Sequence, residues 1–302
     1  MDSLSISDSS YEDDKSFESP IVTLPQWTEF PIDIKLRVFE ILCESHGYSK
    51  AHTTPKKTGL AQYSVVCKEW QAIFEKFLYR RLVLKQTCLE EFDKIVHRQK
   101  AFVEHIWLHI EPPRYNCRKC LEFGIRPAAI DAEKEIAGKA IKTLFSILSQ
   151  WRKHQLVQRG GLVLEISFSS PGEFLHAFSG DISYGPHFVD GGGDDEHQSH
   201  VHDQYHRWRN GQRTVRPTVE AIMSRILRLV NPDISGQLPP VEVISTFVLR
   251  RQTRIVLGHK VLQQIFNGLP NLEHIIYEPW RQFSWFPYYR KDTCKYTRIF
   301  NP

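Results

Sequence analysis

No stretch of the chain approaches the ~18 consecutive apolar residues that a membrane-spanning helix needs, so no part is expected to cross a bilayer. Neither sign of charge dominates: Lys and Arg number 39 against 35 for Asp and Glu. That balance argues against nucleic acid or a membrane surface as the partner, because both are usually met by a concentrated basic patch. The N-terminus lacks a basic stretch followed by an apolar one, which argues against a signal peptide. The six cysteines (Cys43, Cys67, Cys88, Cys117, Cys120 and Cys294) lack the regular spacings of a disulfide framework. Without a secretory signal they read as free thiols of a reducing compartment, the cytoplasm or nucleus.

Catalytic signatures are also lacking. No Ser/His/Asp grouping carries a recognisable local motif, and nothing positive points to an enzyme. Gly191-Gly192-Gly193 does not open an apolar helix, and the Asp194 and Asp195 that follow would repel phosphate. Cys117 and Cys120 have the spacing of half a zinc site, with His105 and His109 just upstream. On a strand those histidines stand about 13 Å apart, too far to share one metal. His197, His200, His202 and His206 sit among Asp194, Asp195, Glu196 and Asp203, but His-rich loops of low complexity more often hold nothing specific. No cofactor and no metal are expected.

What is present is ordinary globular composition, 41% hydrophobic and 25% charged over 302 residues, enough for one to three domains. Residues 1–23 open with a Ser-rich acidic stretch, Asp2 to Glu18 with only Lys15 opposing, that cannot bury enough apolar surface to fold alone. From Leu24 the pattern changes. Pro31 suits the first position of a helix, and Asp33, Arg37, Glu40 and Glu44 draw one polar stripe along it. Ile34, Leu36, Val38, Phe39, Ile41 and Leu42 leave most of the circumference apolar, so the helix needs cover on more than one side. After a polar loop from Ser45 to Gly59, the residues Leu60, Tyr63, Val66, Cys67, Trp70, Ile73, Phe74 and Phe77 recur at helical spacing.

Phe30-Pro31-Ile32-Asp33-Ile34 followed by Val38-Phe39-Glu40-Ile41-Leu42 resembles the opening Leu-Pro-x-Glu-Ile and Ile-x-x-x-Leu of the F-box, with Phe30 and Asp33 replacing Leu and Glu. Ser64-Val65-Val66-Cys67-Lys68-Glu69-Trp70 resembles its second signature, Val-Cys-Lys-x-Trp, and Tyr79-Arg80-Arg81-Leu82 resembles its tail. The loop between the signatures is longer than in compact F-boxes, a departure near the expected partner surface. The resemblance implies a three-helix module over residues 24–82 that docks on a Skp-type adaptor and thereby on a cullin ubiquitin ligase. By position it implies that Phe30, Pro31, Ile34, Val38 and Leu42 meet the adaptor, with Val66, Cys67 and Trp70 supporting that surface.

Beyond residue 82 strand-like and helix-like patches alternate. Strands are expected over Leu82–Leu84, Phe102–Ile110, Leu162–Phe168, Val241–Val248 and Leu272–Tyr277. Helices are expected over Leu89–His97, Ala128–Trp151, Val219–Val230 and His259–Gly268. In Phe102–Ile110, Ile106, Leu108 and Ile110 point one way while His105, Trp107 and His109 point the other. Helix, then Leu269 to His274, then strand resembles one turn of a degenerate leucine-rich repeat. The expected fold is therefore α+β: the three-helix F-box followed over 83–302 by an irregular α/β solenoid, with a compact α/β domain as runner-up. Ser169 to Thr214 reads as a long mobile insertion. The absence of a polar capping repeat before Pro302 reads as a shortened member of a longer family.

The last segment interleaves Arg281, Arg290, Lys291, Lys295 and Arg298 with Trp280, Trp285, Tyr288 and other aromatics. Trp280, Arg281, Trp285 and Tyr288 are the candidate target-binding residues, since Trp, Tyr and Arg carry most interface energy. Basic aromatic stretches also hold single-stranded nucleic acid, and that is the alternative, alongside an F-box scaffold working outside ubiquitination. The expected function is a non-catalytic substrate-recognition subunit of an SCF-type ubiquitin ligase, with an unknown protein as target.

Overall fold

In the computed structural model the described residues are 26–45, 59–113, 127–152, 160–169, 208–209, 212–215, 229–250 and 256–278. Among them are five α-helices and a five-stranded parallel sheet, so the protein is mixed helix and strand. The chain groups into two compact units, Met1–Ser45 and His46–Pro302.

In the first unit, Gln26 N–H donates to Glu29 Oε2 at 3.0 Å, closing a turn ahead of helix α1 (Ile32–Ser45). Pro31, expected at the first helical position, stands one residue earlier, and its carbonyl accepts the Lys35 N–H at 3.1 Å. Trp27 packs edge-on against Phe39 with ring centroids 5.4 Å apart. Phe39 and Cys43, four residues apart and so on one face, are buried, while Asp33, Arg37 and Glu40 are exposed.

The second unit starts with a 3-10 turn, Ala61–Val65, leading to α2 (Lys68–Arg80), which runs straight into strand β1 (Arg81–Lys85). There follow α3 (Leu89–Ile95), β2 (His105–Ile110), α4 (Pro127–Leu148) and β3 (Leu162–Phe168). Then come β4 (Trp208–Arg209), β5 (Gln212–Arg213), β6 (Leu229–Val230), β7 (Ile244–Leu249), β8 (Val256–Leu257), α5 (His259–Asn267) and β9 (His274–Tyr277). Helices α1 and α2, expected in one domain over 24–82, thus fall in different units. Where three helices were expected there, the described residues hold two α-helices and short 3-10 turns.

The main sheet has the order β1-β2-β3-β7-β9, every neighbouring pair parallel. Parallel neighbours need a crossover rather than a hairpin, and α3, α4 and α5 lie in the crossovers to β2, β3 and β9. The register aligns Leu82, Ile106, Leu164, Phe247 and Ile275 in one row, and Leu84, Leu108 and Ile166 in another. Most of these side chains form a single core with Leu89 and Phe92 of α3, Ile141, Leu144 and Leu148 of α4, and Leu262 and Ile265 of α5. The three helices therefore line one side of the sheet, as right-handed crossovers between successive neighbours require.

Sequence periodicity located β1, β2, β3, β7 and β9 and the helices α3, α4 and α5, with shifts of a few residues at their ends. Of the helix expected over Val219–Val230 only Leu229–Val230 is among the described residues, and that pair is strand β6, paired in parallel with β8. Within 169–214, β4 and β5 pair antiparallel across the sequence Asn210-Gly211, a hairpin signal. The acidic tail 1–23, the polar loop 46–58, Cys117, Cys120 and His197 to His206 lie outside the described residues.

The segment after β6 lies hard against α4. Asp233 N–H donates to the Lys134 carbonyl at 3.2 Å, and Lys142 Nζ donates to Ser235 Oγ at 2.8 Å. A Cβ on Gly138 would collide with the Asp233 backbone carbonyl. Gly138→Ala is expected to lower stability by about 1–3 kcal/mol through overpacking, although alanine is the better helix former by about 1 kcal/mol. Urea midpoints measure the difference, and a midpoint raised by the substitution would show that this segment can move away from α4.

Candidate functional site

The residues expected to dock lie in both units, and each set is described within its own. In the first unit Phe30 is half-buried beside Trp27, at a centroid distance of 6.1 Å, and Pro31 is exposed. Ile34 is 45% exposed, and Val38 and Leu42 are half-buried. At 100° per residue Ile34, Val38 and Leu42 form one stripe. Ile41 adjoins it, seven residues beyond Ile34 and 49% exposed. Ile41 belongs to the motif but not to the expected contact set; its spacing of two turns from Ile34 is the sequence signal for it.

In the second unit Val66 is 59% exposed, and Val65 and Cys67 are exposed beside it. Cys67, in extended conformation, stands at the N-terminal boundary of α2 without a side-chain capping bond. Trp70 is half-buried and packs with Tyr63 and Phe74, at centroid distances of 5.9 and 5.7 Å. Trp70 thus anchors the segment from within, while Val65 and Val66 project. Val65 was not among the expected contacts. Trp280, Arg281, Trp285 and Tyr288 lie outside the described residues.

A second cluster occupies the face of the sheet turned away from the helices. Alternation puts Arg81, His105, Trp107, His109, Glu165 and Ser167 on that face. Glu165, 3% exposed, is its centre. Arg250 Nε lies 3.1 Å from its Oε1, while His105 Nε2 and an Arg81 nitrogen lie 2.9 and 3.7 Å from its Oε2. His105 Nε2 is close to the carboxylate but not aligned for a hydrogen bond along that contact. Burial alone would raise the Glu165 pKa. The contact with His105 and the charges of His105, Arg250 and Arg81 outweigh it and hold the carboxyl below its ordinary value.

One step along the strands, a hydrogen-bonded chain has a definite direction. Trp107 Nε1, which can only donate, gives its proton to Ser167 Oγ at 2.7 Å. Ser167 Oγ is 2.8 Å from His109 Nδ1, and His109 Nε2 is 3.0 Å from Ser169 Oγ. Ser167 satisfies its own O–H by donating to Nδ1, because a buried hydroxyl left without an acceptor is costly. The proton then sits on Nε2 and points to Ser169, a tautomer that Glu111 Oε1, 4.0 Å from the same nitrogen, also favours. In that tautomer His109 cannot take the Ser169 proton, so the pair is not a nucleophile with its base. Burial lowers the His109 pKa to about 4, with Glu111 opposing and Lys85 assisting.

The signal for this face was partly legible: the alternation placed His105, Trp107 and His109 together, but their meeting with Glu165, Ser167 and Arg250 depends on strand order. Among the described residues no group of three metal-ligating side chains is assembled, and no helix is long and apolar enough to cross a membrane. No protein family, curated protein or solved structure matches the chain.

The buried face should make the protein acid-sensitive. The unfolded chain takes a proton on His109 near pH 6.5 and the folded one only near pH 4. Stability should therefore fall by roughly 3 kcal/mol between those values. Glu165, held low in the fold, adds a further loss as the pH falls through and below about 4.5, the ordinary value. Urea unfolding of His109→Gln should show a flatter loss from pH 6.5 to 4. An unchanged slope would mean that another group titrates.

Proposed function

We propose that this protein is a non-catalytic substrate-recognition subunit of an SCF-type ubiquitin ligase. The F-box-like residues of α1 and of the segment entering α2 dock on a Skp-type adaptor, and the sheet-bearing unit holds the target. The observation that carries the reading is the apolar stripe of α1: Ile34 and Ile41 stand about half exposed beside Val38 and Leu42. Such a stripe on a 14-residue helix is expected to need cover, and the F-box resemblance names the partner that supplies it. Val65 and Val66 add apolar surface at the second signature.

The sheet supports the solenoid reading of the second unit. Strands added one after another in chain order, with helices on one side, are the architecture of stacked α/β repeats. In this reading ubiquitin transfer comes from other subunits, and the chain contributes only by raising the target's effective concentration.

Pro31→Ala combined with Ile34→Asp should weaken co-purification with a Skp-type adaptor at least ~100-fold, since a carboxylate enters an apolar interface unpaired. Both residues are exposed in this unit, so the variant should keep the wild-type circular dichroism. Retained adaptor binding would overturn the surface named. The same variant is the better test of target turnover, because deleting residues 24–82 would also remove α2 and enter β1. Unchanged turnover despite lost adaptor binding would favour a scaffold outside ubiquitination.

A further inference from the structure

We draw no further inference here: the strongest candidate, the buried cluster of His105, Glu165 and Arg250 on the face of the sheet turned away from the helices, belongs to the site already described, its charges are answered by one another, and nothing among the described residues shows a ligand against them.

Discussion

The apolar layer between the parallel sheet and α4 bears on everything else in the second unit. Ile106 and Leu108 of β2 and Leu164 and Ile166 of β3 meet Ile141, Leu144 and Leu148 of α4, all of them fully buried. Parallel strands cannot be joined by tight turns, so each new strand brings a crossover that must return over the same side. The layer therefore decides where the helices lie, which residues of each strand face away from them, and where the sheet ends.

The opposite face is the chemical consequence. There charged and polar side chains occupy alternate strand positions, and His109, Glu165 and Ser167 among them are nonetheless buried. Glu165 is tolerable at 3% exposure because Arg81, His105 and Arg250 surround it, since a buried charge without partners would cost several kcal/mol. His109 meets the same constraint in the other way, by remaining neutral between two serine hydroxyls. One group keeps its charge and is paired, while the other gives up its charge and is hydrogen-bonded. The arrangement resembles a catalytic grouping in composition alone, since the direction set by Trp107 keeps the imidazole from acting on Ser169.

The surfaces proposed for binding are places where apolar burial was left incomplete. On α1 the core side takes Phe39 and Cys43, leaving Ile34 and Ile41 outward. At the second signature Trp70 completes an aromatic cluster, while Val65 and Val66 remain outside it. In the reading proposed here the Skp-type adaptor takes both surfaces.

Local periodicity by itself determined most of the elements. Alternation in Phe102–Ile110 and Leu162–Phe168 and three-four spacing in α4 are properties of short stretches, set by which residues share a face. The mixed helix-and-strand class followed from their alternation, and the F-box-like residues were legible as a motif. Only the tertiary structure decided that Leu229–Val230 pairs as a strand with Val256–Leu257, because the energy of a ladder lies in a partner distant in sequence. It also brought Glu165 between Arg81, His105 and Arg250, four residues from four strands or their ends whose meeting depends on strand order. Which apolar residues of α1 are covered and which are exposed was undecided for the same physical reason. The sequence shows that a side chain is apolar, and only the packed chain shows whether anything lies against it.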